Sequence, residues 1–315
     1  MNLETSGQGA LGVISVKGLC KDFDGIRALD GVSLSILKGE TFGLIGPNGA
    51  GKTTLIRILT GQIAPSRGEI LLEGEPVDPR EPAYRVRVGL VPQEAAFYGR
   101  LSARENLALL ASLYGMEKKD IGGRVDGLLS WAGLEDHAER QVRFFSRGMQ
   151  QRLSLAMGLV HEPELIYLDE PTSGLDPEAR SSLWDLILRL SQEGRSIFLT
   201  THNMEEADRI CSRLAILVEG SIREEGTPDR IKGLLGADRV ELRLLGDQAR
   251  ELDGLCSRLG LAWRAEGDVV ILTGPDLPDK LPQIASELAG AVRNLHYREV
   301  TLEDAFLRFM REVED

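Results

Sequence analysis

The stretch TFGLIGPNGAGKTT, residues 41–54, joins an apolar, strand-like run to a glycine-rich turn and then to a helix start carrying Leu55, Ile56 and Leu59. Gly46, Gly51, Lys52 and Thr53 satisfy the spacing G-x-x-x-x-G-K-[ST]. Small residues are needed there because the backbone must curl around a phosphate with its N–H groups pointing inward, and the helix N-terminus behind them adds partial positive charge. Lys52 supplies a full charge, and Thr53 a hydroxyl where Mg²⁺ bridging the terminal phosphates would sit. The loop as a whole, Gly46, Pro47, Asn48, Gly49, Ala50, Gly51, Lys52, Thr53 and Thr54, is expected to cradle a nucleoside triphosphate.

A phosphate loop alone leaves kinases, GTPases and ATPases open. The stretch LIYLDEPTSGLDP, residues 165–177, narrows the choice: an apolar run ends in the adjacent carboxylates Asp169 and Glu170. Two charges at the end of a buried strand are costly without a task. Asp169 can hold Mg²⁺, directly or through water, and Glu170 can polarise a water for in-line attack on the γ-phosphate.

Composition sets the outer limits. A chain of 315 residues, 42% hydrophobic and 27% charged, can bury a substantial core and suggests two domains. A net charge of −12 without a basic run weighs against nucleic acid as partner. Cys20, Cys211 and Cys256 are far apart and form no C-x-x-C pair, which points to a reducing compartment without disulfide or metal framework. His137, His161, His202 and His296 are equally scattered, so no histidine-rich metal site is expected. The opening MNLETSGQGA has neither a basic nor an apolar region of a signal peptide, and no later run has the length of a membrane span. Residues 1–12 are read as a flexible N-terminus.

Between the phosphate loop and the acidic strand lies FFSRGMQQR, residues 144–152. By itself Ser146 reads as a helix N-cap ahead of a buried stripe of Met149, Leu153, Ala156, Met157 and Val160. In context, GPNGAGKT, VPQ (residues 91–93), FSRGMQQR, LIYLDEPTSGLDP and TTHNMEEAD follow one another in an order that resembles the nucleotide-binding subunit of ATP-binding cassette (ABC) transporters, over about residues 13–230. The resemblance implies ATP and Mg²⁺ as ligands and a head-to-tail dimer, here a homodimer. In it, Ser146 and Gly148 cap the γ-phosphate of ATP held by the opposite subunit. It also implies that Gln93 contacts Mg²⁺ or its water, that His202 contacts the γ-phosphate, and that Asp176 lies in a loop crossing the dimer interface. Phe23, in KDFDGIRAL, stands where the family stacks an aromatic ring on adenine. Where the commonest family pattern is L-S-G-G-Q, this chain has Phe145, Arg147 and Met149 in the first, third and fifth places. This variant resembles drug-efflux and related exporter ATPases.

The remaining sequence supplies the organisation. Ser102 and Glu105 form a capping box ahead of Leu107, Leu110 and Tyr114, and Val125, Leu128, Leu129 and Ala132 repeat at helical spacing. A helical subdomain over about residues 95–160 follows, which in the family carries the groove for the membrane partner. The periodicity changes near Ala237. Strands at 239–245 and 291–299, helices at 248–260 and 280–289, and a hairpin from AWRA and DVVILT give the order βαββαβ, which is ferredoxin-like. A last helix starts at Thr301, with Phe306 and Phe309 on one face. The expected fold is therefore α/β: an ABC cassette of the P-loop NTPase class over residues 13–236, with a mixed sheet and a helical subdomain, followed by a small α+β accessory domain over 237–315. The resemblance implies an ATPase on the cytoplasmic face of the membrane, bound there through a separate integral-membrane permease. The rival reading is a soluble ABC ATPase acting on ribosomes or DNA. It fits poorly with a single phosphate loop, with the short interval between Gly46 and Ser146, and with the acidic charge.

Overall fold

The computed structural model describes residues 12–234, 238–244 and 249–314; of the expected flexible stretch, residues 1–11 lie outside the described residues. The chain forms two compact units, one ending at Pro228 and one starting at Asp229.

The first unit begins with β1 (Gly12–Phe23), β2 (Ile26–Leu37), β3 (Thr41–Ile45), α1 (Lys52–Leu59), β4 (Arg67–Leu72), β5 (Glu75–Pro76), α2 (Pro82–Arg85) and β6 (Val88–Val91). Three helices follow, α3 (Ala103–Leu113), α4 (Lys118–Trp131) and α5 (Arg147–Gly158). Then come β7 (Leu165–Asp169), α6 (Pro177–Gln192), β8 (Ser196–Thr201), α7 (Met204–Ile210), β9 (Arg213–Val218) and β10 (Ser221–Gly226).

Every residue of β3, β7 and β8 is buried, as expected of central parallel strands covered on both faces. They lie in a six-stranded sheet of order β10-β9-β3-β8-β7-β6, in which only the β9–β10 pair is antiparallel. The register sets Ile45 beside Thr201 and Asp169 beside Thr200, so the chain leaves three neighbouring strands at one level. Ligands of open α/β sheets bind outside these carboxyl ends. A second sheet, β2-β1-β4-β5, is antiparallel and has no counterpart in the sequence reading. It packs Val16, Leu34 and Ile70 into one core with Leu55, Ile56, Ile58 and Leu59 of α1. Each such side chain contributes about 1.5–3 kcal/mol of apolar burial, which fixes the helix that begins at Lys52.

The capping box at the start of α3 is present in full: Ser102 Oγ accepts from Glu105 N–H, and the Glu105 carboxylate accepts from Ser102 N–H. Along α5, Leu153 and Ala156 are buried but Met149 and Met157 only half-buried, while Gln151, Ser154 and Leu155 are buried too. The helix is covered on more than the single expected stripe.

In the second unit α8 (Pro228–Gly233) is followed by β11 (Arg239–Leu244), α9 (Ala249–Leu259), β12 (Ala262–Glu266), β13 (Val269–Thr273), α10 (Leu277–Glu287), β14 (Val292–Arg298) and α11 (Leu302–Glu314). The order is βαββαβ, and the antiparallel sheet runs β12-β13-β11-β14, the arrangement of a ferredoxin-like fold. Val240, Leu242 and Leu272 of the sheet share a core with Leu252, Leu255 and Ile284 of its helices. Two boundaries differ from expectation. The compact unit starts at Asp229 rather than near Ala237, because strand periodicity marks its first strand and not the helix before it. Helix α10 begins at Leu277 rather than at 280, since Pro278 suits the first turn, where its missing N–H is not needed.

Candidate active site

The turn after β3 is shaped by two close approaches. A Cβ on Gly46 would lie 2.4 Å from the Leu217 carbonyl oxygen, and one on Gly51, whose φ is 108°, would lie 2.5 Å from that of Ala28. Only glycine lets the backbone pass at these points. Ala50 N–H donates to the Pro47 carbonyl at 3.2 Å, and α1 starts at Lys52 with no acidic residue in its first turn. Its first N–H groups have no partner within the helix, so they present partial positive charge. Lys52 is buried, and its Nζ donates to the carbonyls of Gly46 (2.8 Å) and Pro47 (3.1 Å).

The acidic pair closes the other side. Asp169 Oδ1 accepts from Thr200 Oγ1 at 2.6 Å and from Thr53 Oγ1 at 3.4 Å. Burial pushes its carboxyl above the ordinary value, against the opposing effect of those two hydroxyls. Glu170 leaves the strand with φ 45°, held there by its N–H on the Thr200 carbonyl at 3.0 Å. Its Oε1 faces Lys52 Nζ at 3.4 Å, and its Oε2 accepts from Gln93 Nε2 at 3.2 Å and meets His202 Nδ1 at 3.1 Å. Asn48, Gly49 and residues 51–54 of the phosphate loop thus face one polar cavity of about 430 Å³ together with Gln93, Glu170 and His202, with Ala28 and Ser173 completing its wall; Gly46, Pro47, Ala50 and Asp169 do not line it.

The donor set suits a nucleotide and a hard cation. A buried lysine and inward N–H groups match phosphate oxygens, whereas Thr53, Asp169 and the Gln93 amide offer oxygen ligands. Among the described residues no cluster of three or more His, Cys, Asp or Glu could hold a metal by itself. A cation here would need phosphate oxygens as well, as is usual for Mg²⁺.

The other expected residues form a second group. Ser146 is the exposed N-cap of α5, with Oγ accepting from Met149 N–H at 3.3 Å, and Asp176 is the N-cap of α6, accepting from Ala179 N–H at 2.9 Å. The two helix starts are neighbours. A Cβ on Gly148 would come within 2.9 Å of Ala179 Cβ, and Arg147 Nη1 donates to the Gly174 carbonyl at 3.3 Å. Neither Ser146 nor Asp176 lines the cavity. Phe23 ends β1 with its ring 42% exposed and Lys21 Nζ 4.9 Å from its centroid; it too stands outside the cavity wall. Sequence reasoning missed Thr200, which holds both Asp169 Oδ1 and the Glu170 backbone N–H. The threonines that close SIFLTT are ordinary strand composition and gave no signal of it.

Strand ends, glycine-shaped loop and carboxylate pair together define a phosphate-loop nucleoside triphosphatase. The family model "ABC transporter" matches residues 29–173. Nod factor export ATP-binding protein I of Cupriavidus metallidurans is 37% identical over 305 residues, which cover 96% of this chain and 99% of that protein. Daunorubicin resistance ATP-binding protein DrrA3 of Streptomyces coeruleorubidus is 37% identical over 296 residues, covering 94% and 92%. A solved dimeric ATP-binding cassette in a post-hydrolysis state, bound to ADP and Pi, superposes with a TM-score of 0.62 at 26% identity, covering 68% of this chain and 98% of that one. The chain belongs to the ABC transporter family, as an ATP-binding and ATP-hydrolysing subunit. The family, the fold class and the ATPase activity expected from the sequence all hold.

Proposed function

We propose that two copies of this chain hydrolyse MgATP at two composite sites and thereby drive an integral-membrane exporter made of a separate polypeptide, from the cytoplasmic face of the membrane. The observation that carries the reading is the convergence of Lys52, Gln93 and His202 on the Glu170 carboxylate within one polar cavity. In this reading Lys52 and the N–H groups of residues 46–54 bind the phosphates. Glu170 polarises the attacking water and takes up its proton, and His202 orients that carboxylate and reaches the γ-phosphate. Mg²⁺ would be held by Thr53, Asp169 and Gln93, and supplies charge neutralisation on the phosphate oxygens. Ser146 and Gly148 of the second copy cap the γ-phosphate from the start of α5, Asp176 lies at the seam between copies, and the exposed ring of Phe23 stacks on adenine. Catalysis is then positioning and charge stabilisation more than covalent chemistry.

Outward transport is supported by the names of the relatives, one for Nod factor export and one for daunorubicin resistance. Among the described residues no helix is long and apolar enough to cross a membrane, and the reading assigns the path to the permease. Its docking surface is assigned to Gln93 and residues 94–115, where Tyr98, Leu113 and Tyr114 are exposed. Photocross-linking from Tyr98 or Leu113 in membranes is expected to capture an integral-membrane protein. Capture of ribosomal proteins or DNA instead would replace the exporter with a soluble mechanical ATPase.

A further inference from the structure

Glu206, on α7 four positions beyond His202, is 0% exposed. A buried carboxylate is costly unless donors surround it. Among the described residues, the directed hydrogen bond it receives on its side chain comes from Trp184 Nε1 of α6, 3.0 Å from Oε1, while Oε2 has no directed partner. Burial raises its pKa, and the hydroxyls of Thr201 and Thr172, the Trp184 indole and the charge of Arg180 oppose that rise.

Each of these neighbours belongs to a segment that carries a site residue. Thr201 directly precedes His202, and its Oγ1 accepts from Asn203 N–H at 2.9 Å. Asn203 in turn caps Glu206 N–H through Oδ1 at 3.1 Å. Thr172 is buried two residues beyond Glu170, in a turn closed by Ser173 N–H on the Glu170 carbonyl at 3.1 Å. Trp184 lies on the helix that Asp176 caps. We infer that Glu206 is a positioning residue for ATP hydrolysis: fully buried, bonded to Trp184 of α6 and capped by Asn203, it anchors the start of α7 that sets His202 Nδ1 3.1 Å from Glu170 Oε2. The inference rests on the roles proposed above for Glu170 and His202.

Glu206 does not line the nucleotide cavity, so its loss acts on turnover and not on binding. Glu206→Gln keeps the volume and an acceptor for Trp184 but removes the carboxylate and puts an amide NH₂ in place of its second oxygen. A catalytic group misplaced by about 1 Å loses about 10²-fold in rate. For the partial loosening in Glu206→Gln, kcat is expected to fall about tenfold with KM for ATP unchanged. Trp184→Phe, which removes the indole N–H that Glu206 accepts, should give the same split at smaller size and serves if Glu206→Gln does not fold. In the Glu170→Gln background Glu206→Gln should add nothing further. Ile187→Ala, a core change in α6, is the control for stability loss alone. The inference is overturned if Glu206→Gln keeps kcat within twofold of wild type, if KM rises while kcat stays, or if Ile187→Ala at equal Tm loss lowers kcat as much. Full hydrolysis by Glu170→Gln or His202→Ala on their own would overturn the roles of those residues instead, and leave Glu206 nothing to position.

Discussion

Replacing Glu170 by glutamine should separate nucleotide binding from hydrolysis. The carboxylate has one oxygen on Gln93 and His202, at 3.2 and 3.1 Å, and the other 3.4 Å from Lys52 Nζ. An amide of the same shape keeps an oxygen acceptor for Gln93 and His202 and turns its NH₂ toward Lys52. The lysine retains its bonds to the Gly46 and Pro47 carbonyls, at 2.8 and 3.1 Å, and loses the carboxylate oxygen 3.4 Å from its Nζ. Its charge is therefore no less available to phosphate, and ATP affinity should stay within about threefold, under 0.7 kcal/mol or so. Loss of the base should cost about 10²–10⁴ in kcat, or roughly 3–5 kcal/mol of transition-state stabilisation. With Mg²⁺ and ATP the variant should then persist as a nucleotide-locked dimer. Adding Ser146→Arg should return it to monomer with ATP still bound if, as proposed, the exposed cap of α5 serves the other copy's phosphate. Phosphate release, calorimetric ATP titration and size-exclusion chromatography on the single and double variants read these three quantities. Hydrolysis by Glu170→Gln within a few-fold of wild type would refute the base assignment, and an equally dimeric double variant would show that Ser146 only caps its own helix.

Asp169 carries a pH signature. Burial raises its folded-state pKa above the ordinary 3.8, so the folded state binds the proton more tightly than the unfolded chain. Stability should therefore fall as pH rises from 3.8 through the raised value, and Asp169→Asn should flatten that slope in denaturant titrations while abolishing Mg²⁺-dependent turnover. Ending the chain at Pro228 should leave ATP affinity within about twofold, because among the described residues no cavity-lining residue lies beyond His202, and should weaken the ATP-dependent dimer in light scattering.

The site was legible where chemistry coincides with strand ends. FGLI, LIYL and IFL are apolar cores of three strands, so the residues that follow each had to emerge at one edge of a parallel sheet. Thr200 and Glu206 were not legible for opposite reasons. A threonine closing an apolar run is ordinary strand composition, and the acids of MEEAD read as a solvated helix face until Trp184 is seen to cover one of them. The antiparallel sheet went unread because β1 and β2 mix buried and exposed residues without clean alternation, interrupted by several register shifts. The ferredoxin-like order came through because each of its short elements is bounded by glycine, proline or acidic turns; its leading helix α8, though preceded by Gly226 and opened by Pro228, precedes the change of periodicity and reads with the first domain.

The register of the central sheet also bears on how such a chain can be rebuilt. Lys52, Glu170 and His202 follow three adjacent strands, and their separation is set by the lateral spacing of a sheet, about 4.8 Å per strand, rather than by the peptide between them. The long segment from Gln93 to Ser146 enters that arithmetic nowhere. A transplanted helical region from a relative with another permease could be grafted over residues 94–145, keeping Gln93 and Ser146, without retuning the phosphate chemistry. One residue inserted within β7 would do the reverse, turning Asp169 to the opposite face of the sheet while leaving every motif in the sequence intact.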